Sequence, residues 1–224
     1  MIIREIADVL IRSVSGGTNP QDNKFDMPYV EAITPNIWGK AIRLDYNGDA
    51  RNSGSRRLSY SWSMNYQPTY TESLQVSGAD YLLFDCPRPM MVNRFVDGLI
   101  YVGERLKTAS WTKFTSREDV ANAYARNFFA SGTEIGYLYN GTYLEVYGNK
   151  NIRNIDVRII PNNPMDVPGF DPDTDDYPVD DALINLMVGL FKEEQNVNIN
   201  RPADPIFDTA ETTAKQSIKI NTQQ

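Results

Sequence analysis

The side chains that could do chemistry in this chain are carboxylates and hydroxyls, because its 224 residues include no histidine and a single cysteine, Cys86. Histidine is the usual general base near neutral pH and the commonest metal ligand. Its absence excludes Ser-His-Asp and Cys-His nucleophile systems and the common zinc motifs. We expect Cys86 to pack as a small apolar residue, and one cysteine cannot form a disulfide within the chain.

The densest group of carboxylates is the acidic turn formed by Asp171, Asp173, Asp175 and Asp176. Asp-x-Asp-x-Asp begins an EF-hand calcium loop, but that loop requires Gly at its sixth position and Glu at its twelfth. Those positions hold Asp176 and Ala182 here. The pattern therefore favours a solvated acidic turn, with a weak Ca²⁺ or Mg²⁺ site as the alternative.

Motifs for phosphate or sugar chemistry are missing from the sequence. It contains no Gly-Lys-Ser/Thr loop, and no G-x-G-x-x-G follows a predicted strand. No pair of carboxylates is singled out by its spacing as the site of a glycosidase would be. We therefore expect a protein that is not an enzyme and that uses no cofactor and no metal ion.

The charge balance is acidic, with 22 Lys and Arg against 29 Asp and Glu and a net charge of -7. A domain that binds duplex DNA usually has the opposite balance, because it must neutralise phosphates. An acidic chain can still line a conduit through which DNA passes without sticking. Arg51, Arg56 and Arg57 share a loop over residues 47–57. We expect that loop to be solvated or salt-bridged at an interface rather than bound to nucleic acid.

Helical spacing of apolar residues predicts helices at both ends of the chain. Residues 2–14 form the first. The second begins near Asp26 and runs to about Tyr46, and Thr34-Pro35 marks either a kink within it or the start of a separate helix. Tyr177-Pro178 is predicted to open a C-terminal helix. Its expected apolar face consists of Leu183, Leu186, Met187, Leu190 and Phe191.

Between Leu58 and Ile160 the apolar pattern has a period near two and predicts a mostly antiparallel β module. The expected strands are 60–66, 73–76, 81–84, 92–96, 99–102, 110–114, 135–139, 142–147 and 155–160. Asp97-Gly98 and Asn140-Gly141 are both predicted as tight hairpin turns, the second of type I′ with two residues at positive φ.

A helix is predicted inside the β module, where Ser116 is a good N-cap and is followed by acidic residues. The expected inward face of this inserted helix consists of Val120, Ala123, Tyr124, Asn127 and Phe128. The predicted fold class is therefore α+β: N-terminal helices, a central mostly antiparallel β module with an inserted helix, and a C-terminal helix followed by an extended arm.

Three regions follow from this pattern. Residues 1–57 form an N-terminal helical region with an exposed loop, residues 58–195 form the β-rich module ending in a helix, and residues 196–224 form the C-terminal arm. The arm has too few apolar residues for a core of its own. Its candidate partner-docking residues are Pro202, Asp204, Ile206 and Phe207.

No apolar run approaches the roughly 18 residues of a membrane span, and the first residues lack the pattern of a signal peptide. We therefore expect no membrane association and synthesis in the cytoplasm.

Two segments carry a resemblance to a known family. They are Tyr177-Pro178-Val179-Asp180-Asp181-Ala182-Leu183-Ile184 and Arg201-Pro202-Ala203-Asp204-Pro205-Ile206-Phe207-Asp208. They resemble the head–tail connector or neck ring proteins of crAss-like and related short-tailed bacteriophages. In that family a helix starts at a Tyr-Pro, follows a strand and leads into an extended arm with a Pro-x-Asp. The opening of the chain, with a helix, a Gly-rich loop and a second helix, is similar as well.

The resemblance implies a structural subunit of the virion. It implies a ring of twelve copies between portal and tail, bound to the portal protein and to other neck and tail proteins. Double-stranded DNA would pass through the ring without sequence-specific binding, after assembly in the host cytoplasm. A tail-fibre or baseplate component remains an alternative. So does a carbohydrate-binding β module, which would use the 13 tyrosines and Trp38, Trp62 and Trp111.

Overall fold

The computed structural model describes residues 1–14, 25–49, 58–76, 79–93, 96–105, 107–149 and 151–199. Within these residues the chain has an α+β fold, with helices at both ends of a strand-rich centre, so the predicted fold class is confirmed. The helices are α1 (Ile3–Val14), α2 (Met27–Asp49), α3 (Arg117–Ala125) and α4 (Asp181–Ile199). The limits proposed for the three regions stay a prediction.

The second helix is continuous through Pro35, so the alternative of two separate helices is wrong. Proline has no backbone N–H to donate to the preceding turn, which weakens a helix at that point. The neighbouring Thr34 is fully buried, and its hydroxyl donates to the Val30 carbonyl at 2.7 Å. Beyond this point Ile37, Trp38 and the following apolar residues keep one face of α2 inside the core.

Helices α1, α2 and α4 pack on one another and share one core. Most of the stability of such helices comes from the packing of an amphipathic face and not from helix propensity. Their buried faces include Ile6, Leu10, Trp38, Met187 and Phe191, all with essentially no exposed surface. Met90, Val92 and Ile160 join the same core from the β region, so the helical cluster and the sheets form a continuous body.

The strands form three mostly antiparallel sheets. In chain order they are β1 (Met64–Tyr66), β2 (Tyr70–Val76), β3 (Ala79–Asp85), β4 (Met91–Asn93), β5 (Val96–Asp97), β6 (Leu99–Glu104), β7 (Thr112–Lys113), β8 (Gly136–Tyr139), β9 (Tyr143–Tyr147) and β10 (Ile155–Ile159). The orders are β1-β10-β6, β2-β3-β9-β8-β7 and β4-β5. Only β7 and β8 run parallel among the described pairs.

The centre of the larger sheet, formed by β3, β8 and β9, is buried on both faces. On β3, Leu82 and Phe84 point into a core shared with the three-stranded sheet, and Tyr81 and Leu83 point to the opposite face. That opposite face is covered by α3, whose Val120 is buried there. Successive strand residues face opposite sides, so apolar residues at every position mark a strand with cover on both sides. The result is three layers: small sheet, large sheet and α3.

Two details of the predicted elements are wrong. The expected strand 60–66 begins as a 3₁₀ turn at Tyr60–Trp62, because the Ser59 hydroxyl caps it by accepting from the Ser61 N–H. Asn127 does not face inward. It is exposed and has a φ of 56° just past the end of α3, where the chain reverses.

The predicted hairpin at Asp97-Gly98 is also wrong, because the strands on its two sides belong to different sheets. β5 pairs with β4, and β6 pairs with β10. The Gly98 N–H donates to the Met90 carbonyl and its carbonyl accepts from the Ile160 N–H, both at 2.8 Å. A Cβ at Gly98 would lie 2.2 Å from the Ile160 oxygen. Glycine is therefore needed there for the close approach of two backbones.

The hairpin at Asn140-Gly141 is confirmed, but its turn type is not. Asn140 and Tyr143 form the last backbone pair, so the two central residues are Gly141 and Thr142. Gly141 has a φ of 102°, while Asn140 has no positive φ. The Asn140 side chain instead accepts from the backbone N–H groups of Thr142 and Tyr143. A positive φ at the first central residue is typical of a type II′ turn.

Gly141→Val should lower the free energy of unfolding by about 1 kcal/mol or more, because a β-branched residue resists positive φ. A Cβ at Gly141 would contact nothing within 4 Å, so the effect isolates backbone conformation. Gly189→Ala is the matched control: it lies inside α4 with equally open space, and there Ala should stabilise by about 0.5–1 kcal/mol. Urea unfolding measures both, and an unchanged midpoint for Gly141→Val would contradict the turn geometry.

Candidate functional site

The predicted docking residues Pro202, Asp204, Ile206 and Phe207 lie outside the described residues, as does the whole segment 200–224. Arg51, Arg56 and Arg57 also lie outside them. The structure does describe the helix that leads to the docking segment, since α4 extends to Ile199. The candidate site is therefore built from what fixes α4 and from the surfaces that the described residues offer.

Three carboxylates of the acidic turn bind other groups of the protein. The Asp171 carboxylate accepts from the Asp173 N–H at 3.0 Å, and the Asp175 carboxylate accepts from the Asp171 N–H at 2.8 Å. Asp176 forms an ion pair with the N-terminal ammonium group of Met1 at 2.5 Å. No three acidic, histidine or cysteine side chains of the described residues are placed to hold a metal ion together.

Cys86 is buried, and its packing as an apolar residue is confirmed. Burial raises the pKa of the thiol, a hydrogen bond with Tyr66 lowers it and the Asp97 charge raises it, so that the net pKa is about 11. A thiol with so high a pKa carries almost no thiolate at neutral pH, and the thiolate is the nucleophilic form.

The start of α4 is fixed by Asp180, which binds three donors. One carboxylate oxygen accepts from the Leu183 N–H at 2.8 Å, as an N-cap does. The other accepts from the Ser61 hydroxyl at 2.6 Å and from the Trp62 indole N–H at 3.0 Å. Burial raises the pKa of Asp180, but the hydrogen bonds from Ser61, Leu183 and Trp62 outweigh it, so the pKa lies below its ordinary value. Asp180 thereby ties the last helix to the start of the β region.

The Tyr177-Pro178 segment just before α4 is buried rather than helical. The Trp38 indole N–H donates to the Pro178 carbonyl at 2.9 Å, and the rings of Trp38 and Tyr177 meet edge to face at 5.8 Å. Among the described residues the Tyr177 hydroxyl has no hydrogen-bond partner. Tyr177-Pro178 and Asp180 together hold α4 in one direction relative to α2 and the sheets.

A second buried carboxylate joins α3 to the β8–β9 hairpin. Glu145 has no exposed side-chain surface and accepts from Arg117 at 2.7 Å, Asn140 at 2.8 Å and Tyr147 at 2.5 Å. Burial raises the pKa of the Glu145 carboxyl, but these hydrogen bonds and the Arg117 charge lower it more, so the net pKa is below its ordinary value. The three donors are side chains of α3 and of the β8–β9 hairpin, so the Glu145 carboxylate links these two elements.

The Arg158 cleft is an open surface with polar and aromatic side chains on the outer face of the three-stranded sheet. It has a volume of about 520 Å³, and its lining includes Tyr60, Asn65, Gln67, Tyr101, Asp156 and Arg158. Asn65, Arg158 and Tyr101 are direct neighbours across β1, β10 and β6. The Arg158 guanidinium carbon lies 4.8 Å from the centre of the Tyr60 ring. The residues that make this cleft are brought together by strand pairing over long sequence distances.

The three tryptophans do not form an exposed sugar-binding platform. Trp38 and Trp62 are buried in the helical core, and Trp111 is half-buried against the core between the sheets. Tyr60, with 65% of its surface exposed, is the aromatic side chain most open to solvent among the described residues.

No model of a known protein family matches the chain, and no curated protein matches it. Within the described residues, no helix is both long and apolar enough to cross a membrane. The structure defines the chain as a three-layer α+β module. Its last helix, α4, is fixed at its start by Asp180 and is followed in sequence by the predicted docking segment.

Proposed function

We propose that this chain is a non-catalytic structural subunit of a tailed-phage virion. It forms a ring of twelve copies in the neck, between the portal protein and the tail. The ring binds the portal and other neck and tail proteins and provides the conduit for double-stranded DNA, without sequence-specific binding. The subunit is made and assembled in the host cytoplasm and resides in the neck or tail of the virion.

The observation that carries the proposal is the fixed joint before α4. The segment that resembles the connector family follows strand β10, is buried at Tyr177-Pro178, and is capped by Asp180 where α4 begins at Asp181. A connector needs a rigid body and a docking segment that leaves it in a defined direction. The order of strand, Tyr-Pro, helix and following segment supports that design.

The outer edge of the large sheet also suits assembly. Within the described residues β2 is seven residues long and pairs with β3 alone, and its Thr71, Glu72, Ser73 and Leu74 side chains are exposed while Tyr70 is half-buried. An exposed edge strand has unpaired backbone groups that can contact another chain. Repeated head-to-tail contacts of one kind close into a ring when the rotation permits.

Deletion of residues 201–224 should leave a folded chain and abolish ring assembly. The three buried clusters of described residues are built from positions between Ile3 and Phe191, so the deletion removes none of them. Circular dichroism and thermal melting should be unchanged, while native mass spectrometry with the cognate portal should show the twelve-copy species only for the full chain. Copy number in purified particles gives a second measurement.

The matched test keeps the chain length. Ile206→Ala with Phe207→Ala should impair assembly, and Thr212→Ala with Thr213→Ala should not, since the first pair removes the apolar anchors of the arm. If the full chain remains monomeric with the portal and is missing from particles, the proposal is wrong. A full chain that binds an arrayed glycan as a monomer would favour the carbohydrate-binding alternative.

A further inference from the structure

We propose that the Arg158 cleft is the docking site for residues 202–211 of a second copy of this chain. The inference rests on the proposed ring, because it names the surface by which one subunit receives the arm of the next. It is carried by the geometry of Arg158 and by the chemistry of the segment that follows α4.

The guanidinium group of Arg158 is fixed in a position in which it can bind a carboxylate. Its Nε donates to the Asn65 side-chain oxygen at 2.7 Å, and its guanidinium lies over the Tyr60 ring. Among the described residues, neither terminal amino group of Arg158 has a hydrogen-bond partner. A guanidinium fixed by one hydrogen bond and one aromatic contact loses little conformational entropy on binding, and its planar fork matches a carboxylate.

The surroundings of Arg158 fit an extended peptide better than a compact ion. The cleft lies on a sheet face across three strands and presents the rings of Tyr60 and Tyr101 and the amides of Asn65 and Gln67. Tyrosine and arginine are the residues most enriched where protein interfaces are strongest. Lys107 also lines the cleft, but its ammonium group is paired with Glu104 at 2.5 Å. The Asp156 carboxylate lines the cleft as well, so the cleft holds both charges, and Arg158 is the cation in it that has no acidic partner among the described residues.

The proposed occupant has the complementary chemistry. Residues 202–211 carry carboxylates at Asp204, Asp208 and Glu211 and apolar groups at Ile206 and Phe207, and they contain no basic residue. Two prolines, Pro202 and Pro205, restrict the backbone to extended conformations. An acidic, apolar, extended segment can place a carboxylate on Arg158 and a side chain against the tyrosines.

The length of chain after α4 is sufficient for this contact. Residues 200–211 could span up to about 40 Å when extended. That is about the diameter of a domain of 200 residues, so the segment can reach beyond its own subunit. The chain as a whole is acidic, with a net charge of -7, so a cleft with an arginine that has no acidic partner among the described residues is a suitable place for an acidic segment to bind another copy.

The test uses the full chain with p-benzoylphenylalanine in place of Phe207. Light and isotopically heavy copies are mixed under conditions in which the unmodified chain forms rings, and they are then irradiated. The expected product is a light–heavy cross-link to the segments that line the cleft, 60–67, 101–108 or 156–158. Cross-links within one copy, to another surface, or to the portal would each overturn the proposed site.

Charge variants test the contact independently. Arg158→Gln should lower the yield of the inter-copy cross-link about tenfold or more, as expected for loss of one partner in an interfacial charge pair. Arg153→Gln is the matched control, because the Arg153 guanidinium lies 4.5 Å from the centre of the Tyr70 ring at a different place on the sheets. Arg158→Glu should abolish the cross-link, and Asp204→Lys with Asp208→Lys in the same chain should restore it.

The outcomes separate this inference from the proposed function. Rings that form normally with Arg158→Glu, together with cross-links elsewhere, would overturn the cleft and leave the ring intact. A chain that makes no ring with its portal would overturn the proposed function. If Arg158→Gln and the parent chain also gave the same cross-link pattern, the cleft would be rejected as well.

Discussion

Met187→Asp is expected to unfold the chain at room temperature. Met187 has no exposed surface and lies on α4, in the core that α4 shares with α1 and α2. An aspartate there would bury a carboxylate without a hydrogen-bond donor or an opposite charge, which costs several kcal/mol. Because the total stability of a domain is about 5–15 kcal/mol, one such group is enough to populate the unfolded state. Far-UV circular dichroism and a urea titration measure the loss.

Asn185→Asp is the matched control. It places the same new side chain on α4, two residues earlier, at an exposed position. Its urea midpoint should stay close to that of the parent chain. Leu186 is half-buried at the margin of the same core, so Leu186→Asp should have an intermediate effect. A cooperative, parent-like melting curve for Met187→Asp would show that α4 does not pack as described.

Local chemistry explains which parts of the fold could be predicted from the sequence. α1 carries its apolar residues at helical spacing, and α3 has a capping box between Ser116 and Asp119, so both follow from nearby residues. The error at Asp97-Gly98 has a different cause. A two-residue turn looks the same in sequence whether the flanking strands pair with each other or enter two sheets. The backbone contacts of Gly98 with Met90 and Ile160 place the two flanking strands in different sheets, and those contacts are not local in sequence.

The same distinction applies to the candidate site. The sequence predicts a helix opened by Tyr177-Pro178, but it does not show that the Asp180 carboxylate binds Ser61 and Trp62, more than a hundred residues away. The sequence does not mark Arg158 as a site residue, because alternation with apolar neighbours on β10 indicates only a solvent-facing strand residue. Its relation to Tyr60 and Asn65 depends on strand register, which a single sequence does not show.

Glu145→Ala is expected to lower the free energy of unfolding by about 2–4 kcal/mol at pH 7, because loss of one partner in a buried polar cluster leaves the others unsatisfied. The group most affected is the hydroxyl of Tyr147, which lies in the buried core under α3. Arg117 loses less, because 63% of its side chain is exposed and water can replace the carboxylate. Asp173→Asn removes a carboxylate from an exposed turn and should leave stability unchanged.

The pH dependence distinguishes a loss of charge from a loss of packing. The pKa of the Glu145 carboxyl is lower in the folded chain than its ordinary value, so the ionised form contributes stability that is fully present above the ordinary value of about 4.3. That contribution is lost as the pH falls through the lower, folded-state pKa. The parent chain should therefore lose stability below about pH 4.5.

Glu145→Gln keeps the shape of the side chain and should flatten this acid dependence, leaving the parts contributed by Asp180 and Asp119, whose pKa values are also lowered. Urea titrations at a series of pH values between neutrality and the acid limit measure the slope directly. Parallel pH curves for the parent chain and Glu145→Gln would mean that Glu145 is not held as an anion. The link between α3 and the β8–β9 hairpin would then depend on packing around Val120 and Leu138 rather than on the buried carboxylate.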